Sequence, residues 1–386
     1  MSKNNRLNNR QTHLLLLIGS LNIGGAERQV VELVKHIDKT NLKITVVLFY
    51  NEGDLKAGIK GIPNTNLLCL NKSGRWDLFH LVYNLRKTLI NLHPDIVYSF
   101  MPGANIIGLF SCKLAGNSKL VWGIRSTKIE EKNYHWFNRV NELLQKRLSP
   151  LPDAIIVNSY SGYKYLIDSG YKNKKMIVIT NGINTEQFRP DRNSRNLIRR
   201  ELGLGENERL IGMVARFDPM KDHRNFLNAA HILIQKHRNV KFLCIGSGPQ
   251  KYKKEIYSEC EKLGLKNYII WQTNRNDMPA LYNAFDISTL SSSYGEGFSN
   301  ALSEAMACGV PCVTTDVGDS AQIVGDTGIV VPPKNPKALA DGWYNMLKSI
   351  NSKKLNYCNI SRDRILTNFN SSIFAKKSFN ALMKLL

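Results

Sequence analysis

Residues 291–316, SSSYGEGFSNALSEAMACGVPCVTTD, predict one loop–helix–strand unit, which follows directly on a strand. That strand is residues 285–290, FDISTL, whose apolar and β-branched side chains are typical of a buried strand. A helix is predicted to begin at Ser299, because serine is a favoured N-cap residue. Gly309 fits the position that follows a helix C-terminus, and Pro311 prevents the helix from continuing. Strand, helix and strand in succession indicate a parallel α/β sheet.

The start of this helix is a candidate anion-binding site. Unpaired backbone N–H groups and the helix dipole favour negative charge there, and glycine lets a ligand approach closely. Glu296 lies just before the helix and Glu304 about one turn inside it. A nucleotide sugar, with an anionic middle and hydroxyls at both ends, suits this arrangement. A capped core helix with two surface carboxylates is the alternative. The residues at the helix start are Gly297, Phe298, Ser299 and Asn300.

The segment from Glu296 to Pro311, EGFSNALSEAMACGVP, resembles the donor-site signature of the retaining glycosyltransferases of family 4. In that signature, seven residues separate two glutamates. The resemblance extends over nearly the whole chain and implies the GT-B fold, two Rossmann-like doubly wound parallel-sheet domains facing a cleft. It also implies that Glu296 positions the hydroxyls of the sugar, that Glu304 contacts the ribose, and that the helix start binds the phosphates.

A second segment, residues 215–221 with the sequence ARFDPMK, is similar to the family's G-R-L-x-x-x-K-G string. The resemblance implies that Arg216 and Lys221 hold the diphosphate of the donor. Fixed cations stabilise the negative charge that develops on a leaving diphosphate without a metal, so we expect no metal or other cofactor. Glu296, Arg216 and Lys221 form the expected catalytic set. The sequence departs from the family at Ala215 and Asp222, where glycine is common, and two solvated loop cations are the alternative.

The first half of the chain contributes a further turn to the expected site. Gly24 and Gly25 open a predicted helix and resemble the family's first-domain glycine turn. This implies that Gly25 lies against the donor phosphates and Gly24 near the acceptor. Many family members carry a histidine near the sugar in a string like H-x-H-A-N. Residues 99–105, SFMPGAN, align with that string by their Ala-Asn, which places Gly103 at the position of the histidine. Arg125 and Asn181 are the alternative cleft residues, or they brace loops.

Composition limits the class of protein. A chain of 386 residues predicts two domains, and an apolar content of 43% is typical of a globular protein. No apolar run approaches the roughly 20 residues that cross a bilayer, and the N-terminal residues do not form a secretory signal. We therefore expect a cytoplasmic protein. Seven cysteines without a C-x-x-C pair indicate reduced thiols and no zinc site.

The net charge of +22 predicts anionic partners. Up to Pro190 there are 26 Lys and Arg against 13 Asp and Glu, a balance of +13, which leaves +9 for the rest of the chain. Both halves are therefore basic. A lipid surface and nucleic acid are both compatible, but no basic recognition helix or aromatic sheet motif supports nucleic acid. The stretch from Glu131 to Leu148 interleaves aromatic and basic residues, as an interfacial helix or an ordinary domain helix would. The loop from Lys72 to Trp76 is a second candidate for contact with a membrane.

Strands alternate with helical stretches along the chain, which predicts doubly wound parallel sheets. We expect an acceptor-binding domain at residues 1–187 and a nucleotide-sugar domain at 188–368. Residues 369–386 are expected to form a helix that crosses back to the first domain. The polar stretch from Phe188 to Arg195 is the candidate linker.

The predicted function is transfer of a sugar from a nucleotide donor, UDP-linked by preference, to a lipid-linked oligosaccharide with retained configuration. The enzyme is expected to be peripheral on the inner face of the plasma membrane and to act in surface polysaccharide or glycolipid synthesis. A GT-B epimerase acting on a nucleotide sugar is one alternative, and a nucleic-acid-binding protein is another.

Overall fold

The computed structural model describes residues 10–72, 74, 77–116, 118–125, 136–172, 174–273, 275–352 and 356–386. The chain forms two compact units. The first comprises residues up to Gly182 together with Ser371–Leu386, and the second is Ile183–Asn370. The chain therefore passes between the units twice.

The described part of the first unit contains a parallel sheet of seven strands in the order β3-β2-β1-β4-β5-β6-β7. The strands are β1 (Thr12–Ile18), β2 (Leu42–Leu48), β3 (Thr65–Cys69), β4 (Ile96–Phe100), β5 (Lys119–Ile124), β6 (Ala154–Val157) and β7 (Met176–Val178). The helices between them are α1 (Gly25–His36), α2 (Leu78–Leu92), α3 (Pro102–Ala115), α4 (Trp136–Leu148) and α5 (Tyr160–Asp168). β1 is buried from His13 to Ile18, since a parallel strand is covered on both faces.

The second unit contains six parallel strands in the order β10-β9-β8-β11-β12-β13, as far as the described residues extend. The strands are β8 (Arg209–Val214), β9 (Val240–Ile245), β10 (Ile269–Gln272), β11 (Ile287–Leu290), β12 (Cys312–Thr315) and β13 (Ile329–Val331). The helices are α6 (Arg192–Glu201), α7 (His223–Lys236), α8 (Gln250–Lys262), α9 (Met278–Ala284), α10 (Asn300–Ala307), α11 (Ser320–Val324), α12 (Pro336–Asn351) and α13 (Tyr357–Asn368). The final helix, α14 (Ser371–Met383), belongs to the first unit.

Each unit has its own core. In the first unit, apolar residues of α1 and α14 pack on one face of the sheet, and those of α2 and α3 pack on the other. In the second unit one continuous cluster surrounds the sheet. The predicted pair of doubly wound parallel α/β domains is confirmed. No helix in the described ranges combines the length and apolarity that a membrane span requires.

The division between the units differs from the position that composition suggested. It falls between Gly182 and Ile183, and again between Asn370 and Ser371. The polar stretch expected to be a linker lies inside the second unit, because Phe188 is buried in its core and the Asp191 carboxylate caps α6. Polar composition here reflects an exposed helix start and not a connection between units.

Candidate active site

The unit around residues 291–316 folds as the sequence predicts. β11 ends at Leu290, a loop follows, and α10 begins at Asn300 with the Ser299 hydroxyl accepting the N–H of Leu302 at 3.4 Å. Gly309, after the helix, has φ +78°, a conformation that favours glycine. The predicted loop, cap and helix end are confirmed, and the loop lies at the carboxyl end of a parallel strand, where ligands of such sheets bind.

Both glutamates are buried, which excludes the alternative of two surface carboxylates. Glu296 and Glu304 are each 7% exposed. A carboxylate that is removed from water needs a cation or hydrogen-bond donors nearby. The partners of the two glutamates therefore show how the site is built.

Glu296 forms an ion pair with Lys221. The Lys221 ammonium group contacts the Glu296 carboxylate, and the Ser292 hydroxyl donates to the same oxygen. The side chains of Lys221 and Glu296 are only 14% and 7% exposed, so water screens this pair weakly. The structure thus joins two predicted site residues that are 75 positions apart in the sequence.

Hydrogen bonds join the turn that carries Lys221 to the loop after β11. The Ser291 hydroxyl donates to the backbone carbonyls of Lys221, at 2.8 Å, and Asp222, at 3.0 Å. The N–H of Ser293 donates to the carbonyl of Met220 at 2.9 Å. β8 and β11 are neighbours in the sheet, so the loops that follow them meet. These serines were not predicted, although their run at the end of a strand was a visible signal.

Arg216 lies on the same loop in a different environment. Its side chain is 66% exposed, and its guanidinium lies 3.6 Å from the Asp218 carboxylate. A surface pair of this kind contributes little to stability. Arg216 is therefore an exposed cation beside the buried Lys221–Glu296 pair.

Glu304 is held by a residue that sequence analysis missed. The hydroxyl of Tyr282, a fully buried side chain of α9, donates to Glu304 at 2.9 Å. A buried tyrosine hydroxyl normally finds a partner, and here the partner orients a predicted donor-binding carboxylate. Tyr282 stands in an apolar helix, so its sequence context indicated only a core residue.

The backbone of Glu296 and Gly297 rests on the loop after β12. Gly318 has φ +64°, and a Cβ added there would lie 2.4 Å from the Glu296 carbonyl oxygen. The N–H of Asp319 donates to the carbonyl of Gly297 at 3.2 Å. Only glycine permits this approach. Together with Phe298, which is buried, and Asn300 at the first turn of α10, these residues give the helix start one defined shape.

A buried histidine follows Lys221 by two residues. The His223 ring stacks on Phe217 with centroids 4.5 Å apart. Burial, with a smaller contribution from the Lys221 charge, lowers the pKa of His223 to about 3. The imidazole is therefore neutral at physiological pH and supports the Lys221 turn by packing.

The predicted glycine turn of the first unit also forms a helix start. Gly24 is the N-cap of α1 and Gly25 its first residue, and no side chain caps this end. A Cβ on Gly24 would lie 2.2 Å from the Glu27 carboxylate, so that carboxylate stands at the helix start. A negative side chain there is favourable to the helix dipole. A phosphate predicted to lie against Gly25 would have to share this position with Glu27.

Arg125 and Asn181 contact each other. The Arg125 guanidinium donates to the Asn181 side-chain oxygen at 2.6 Å and lies over the rings of Phe100, at 5.1 Å, and Phe374, at 5.8 Å. Burial lowers the pKa of Arg125. This arrangement supports the alternative in which the two residues brace a loop. Gly103, where a family histidine was absent, is exposed in the first turn of α3.

Two other predictions touch residues that are only partly described. Ser73, Arg75 and Trp76 of the candidate membrane loop, and residues 131–135 of the candidate interfacial helix, lie outside the described residues. Within the described ranges, no cluster of three or more His, Cys, Asp or Glu side chains is arranged to hold a metal ion. Cys308 and Cys312 are buried and belong to the core of the second unit.

Comparison with known proteins agrees with this geometry. The family model for group 1 glycosyl transferases matches residues 194–359, and that for Glycosyltransferase Family 4 matches residues 23–187. The putative glycosyltransferase EpsF of Bacillus subtilis (strain 168) is 24% identical over 327 residues, 80% of this chain and 80% of that protein. The UDP-Gal:alpha-D-GlcNAc-diphosphoundecaprenol alpha-1,3-galactosyltransferase of Escherichia coli is 27% identical over 260 residues, 67% of this chain and 66% of its own.

Among solved structures, Anabaena Alr3699/HepE in complex with UDP has a TM-score of 0.80 at 22% identity, over 97% of this chain and 100% of that one. This likeness confirms the predicted GT-B fold class. The family 4 model matches the first unit and the first few residues of the second, and the group 1 model lies within the second unit. The chain therefore belongs to the group 1 glycosyltransferases, with a family 4 glycosyltransferase region in its first half.

Proposed function

We propose that this glycosyltransferase moves a sugar from a UDP-sugar to a lipid-linked saccharide with retained anomeric configuration, in the synthesis of a surface polysaccharide or glycolipid. The observation that carries the proposal is the buried Lys221–Glu296 pair beside the start of α10. This places a cation and the N-terminus of a helix next to a carboxylate. A sugar diphosphate needs positive groups around its phosphates and a hydrogen-bond acceptor for the hydroxyls of its sugar.

The pair explains how the leaving group is stabilised. Glu296 and the turn hydrogen bonds hold Lys221 in place before any substrate arrives. A cation that is already oriented stabilises the charge developing on the diphosphate without reorganising. Arg216, at the surface of the same loop, adds a second cation, so the reaction needs no metal. Glu296 orients the hydroxyls of the sugar. Glu304, which Tyr282 orients, accepts hydrogen bonds from the hydroxyls of the ribose.

Retention follows from a displacement on one face of the sugar. The bond between the anomeric carbon and the phosphate oxygen breaks, and the bond to the acceptor oxygen forms on the same side. The departing phosphate takes the acceptor proton, so no separate base is required. Contacts that strengthen as charge moves onto the phosphate accelerate this step, because they favour the transition state over the bound substrate.

The names of similar proteins support the donor and the acceptor. The Escherichia coli relative is named for UDP-galactose and a diphosphoundecaprenol acceptor, and the Anabaena protein has been crystallised with UDP and with UDP-glucose. A lipid-linked acceptor would bring this enzyme to the inner face of a membrane as a peripheral protein. The net charge of +22 favours such an anionic surface.

Replacing Lys221 with alanine tests the proposal. We expect transfer and donor hydrolysis to fall by about 10²-fold or more, the usual loss for one preorganised charge-stabilising group. Lys251→Ala, at an exposed position on α8, is the matched control and should retain activity. Circular dichroism and melting curves establish that each variant is folded. Near-normal turnover by a folded Lys221→Ala enzyme would refute the assigned role.

The donor and the reaction type need a separate measurement. A bound donor raises the melting temperature by mass action, so a panel of UDP- and GDP-sugars identifies the nucleotide. We expect UDP-sugars to stabilise the protein and GDP-sugars not to. Incubation with the donor alone should give slow hydrolysis. An isomerised sugar nucleotide would instead identify an epimerase.

A further inference from the structure

Two neighbouring helices of the first unit expose large apolar side chains. On α2, Phe79 is 93% exposed and Tyr83 is 60% exposed. On α3, Phe110 is 48% and Leu114 is 59% exposed. Single exposed apolar residues are ordinary, but a contiguous group of them marks an interaction surface.

These four residues form one surface, which we call the α2–α3 ridge. Within each helix the two residues are four positions apart and so lie on the same side. The helices pack side by side: the Arg86 guanidinium donates to the carbonyl of Leu114 at 3.1 Å, and the Ser111 hydroxyl donates to that of Val82 at 3.3 Å. The opposite sides of both helices are buried against the sheet.

The charges on these helices have one sign. Neither α2 nor α3 contains an aspartate or a glutamate, and together they carry Arg86, Lys87 and Lys113. Lys87 and Lys113 are exposed. Asp77, the N-cap residue of α2, has its carboxylate 3.3 Å from the His80 ring. Aromatic side chains beside an excess of cations are the composition that binds the interface of an anionic bilayer.

α4 extends this surface beyond α3, against which it packs. It exposes Leu143 and Leu144 together with Lys146 and Arg147. Its Glu142 carboxylate accepts a hydrogen bond from the Tyr165 hydroxyl at 2.6 Å, so it is engaged within the unit. The described part of α4 therefore adds apolar groups and cations of the same kind.

The charge pattern favours lipid over a second copy of the chain. In a two-fold symmetric dimer through the ridge, the same surface would face itself, and the three cations of α2 and α3 would outnumber the Asp77 carboxylate that each copy supplies to offset them. An anionic bilayer supplies phosphates for the lysines and an apolar layer for the aromatic rings.

We propose that the α2–α3 ridge docks the protein on an anionic lipid bilayer, with Phe79, Tyr83, Phe110 and Leu114 in the headgroup layer and Lys87 and Lys113 on lipid phosphates. This deepens the proposed function, on which its biological purpose rests, by naming the surface through which the enzyme reaches a lipid-linked acceptor. The binding itself requires neither donor nor acceptor.

Cosedimentation of the full chain with vesicles tests the proposal. The protein should bind phosphatidylcholine vesicles that contain phosphatidylglycerol, bind vesicles of phosphatidylcholine alone much less, and lose binding as salt is added. The double variant Phe79→Ser and Phe110→Ser should bind at least about tenfold more weakly, since two rings no longer leave water. Leu197→Ser, at a position 66% exposed on α6, is the matched control and should bind normally.

A second pair of variants tests the charges. Lys87→Glu with Lys113→Glu should weaken binding to anionic vesicles by at least about tenfold, because each cation near the surface is attracted by the charge of the anionic lipids. Lys337→Glu with Lys348→Glu, at exposed positions on α12, makes the same change of net charge in the second unit. If both charge pairs weaken binding equally, net charge and not the ridge is responsible, and the proposal fails.

Other outcomes also overturn the proposal. Equal vesicle binding by the ridge variants and the unchanged protein would exclude the ridge as the docking surface. A change of sedimentation mass in the ridge variants, without a change in vesicle binding, would assign the ridge to a second copy of the chain. Stabilisation by UDP should persist in the ridge variants. It is measured without lipid, so failure of the docking proposal is distinguishable from failure of the proposed function.

Discussion

At the scale of single residues, the sugar-directed role proposed for Glu296 can be separated from nucleotide binding. Glu296→Gln removes the negative charge but keeps the shape of the side chain. We expect the rate of transfer to fall by about 10²-fold, as for loss of a preorganised polar contact in the transition state. Stabilisation by UDP should remain, since that ligand lacks the sugar. Equal loss of UDP binding and transfer would contradict this division of roles.

The same substitution should also lower stability. Lys221 would lose the carboxylate that compensates its charge, and breaking a buried pair by removing one partner costs about 3–5 kcal/mol. Denaturation in urea measures this loss. Glu255→Gln breaks the exposed pair with Arg224 and is the matched control, for which we expect at most about 1 kcal/mol.

Tyr282→Phe tests how Glu304 is oriented. The change removes the hydroxyl that donates to Glu304 and leaves a buried carboxylate with one donor fewer. We expect the free energy of unfolding to fall by about 1–3 kcal/mol. If Glu304 binds the ribose, KM for the donor should rise more than kcat falls. Tyr83→Phe, at an exposed tyrosine, should leave stability and both kinetic constants unchanged.

His223 makes stability depend on pH in a direction that its burial fixes. Its pKa is about 3 in the folded protein and about 6.5 in an unfolded chain, so the unfolded state takes up the proton first as pH falls. The contribution of His223 is fully present above about pH 6.5 and is lost towards pH 3. The loss approaches about 1.4 kcal/mol per pH unit within that window.

Unfolding of His223→Phe at pH 7 and pH 5 measures this effect. Phenylalanine retains a ring on Phe217 but takes up no proton, so the variant should lose less stability on acidification than the unchanged protein. Identical pH dependence in His223→Phe and the unchanged protein would show that His223 is not a buried neutral group.

The sequence predicted which residues carry charge at the site, but not which of them touch. Glu296 and Lys221 each stood in a motif, yet their contact depends on β8 and β11 being neighbours, which local sequence does not encode. Tyr282, Ser291 and Gly318 act through contacts with distant parts of the chain. Each looked ordinary in its own segment, as a core tyrosine, a loop serine and a turn glycine.

At the scale of elements, α10 was predictable because its signals are local. A serine cap, a glycine end and a proline stop all lie within one short segment, and each has a direct physical cause. The helix α6 was missed because its many polar and basic residues looked like a linker. Arg195 and Arg199 of that helix bind the buried Asp286 carboxylate, a partner about 90 residues away that no local pattern reveals.

Gly318→Ala tests the loop that supports α10. The added Cβ would meet the Glu296 backbone at 2.4 Å in a conformation that favours glycine. We expect a loss of stability of about 1–3 kcal/mol, the usual strain of such a position, together with reduced transfer, because the Glu296 backbone must shift. Gly103→Ala is the control, since nothing lies within 4 Å of its added Cβ. This helical change should be neutral or stabilising by up to about 1 kcal/mol.

At the scale of the whole molecule, length and composition predicted two domains, and the alternation of strands and helices predicted their class. The place at which the chain leaves the first unit was not predictable. Gly182 is fixed by the side chain of Gln29, 153 residues earlier. Ser371, where the chain returns, donates to Glu32 at 2.7 Å on the same helix. α1 therefore anchors both passages of the chain.

The side-chain amide of Gln29 forms two hydrogen bonds with the backbone of Gly182, as a residue on a neighbouring strand would. Its amide nitrogen donates to the Gly182 carbonyl at 2.9 Å, and its amide oxygen accepts the Gly182 N–H at 2.8 Å, both out of water. A Cβ on Gly182 would lie 2.7 Å from that of Phe374, so only glycine lets the chain pass between α1, which carries Gln29, and α14, which carries Phe374. Two buried backbone groups at this passage thus depend on one side chain.

Gln29→Leu removes both hydrogen bonds while filling similar space. It leaves the N–H and the carbonyl of Gly182 buried without these partners, and each such group costs about 1–3 kcal/mol, so we expect about 2–5 kcal/mol less stability. Hydrogen exchange at the amides of Gly182 and Ile183 should accelerate more than exchange in β4, because the disturbance begins at the passage. Gln187→Leu, at an exposed glutamine, is the control. Unchanged exchange at Gly182 in Gln29→Leu would mean that packing against α14, and not the amide pair, fixes the point at which the chain leaves the first unit.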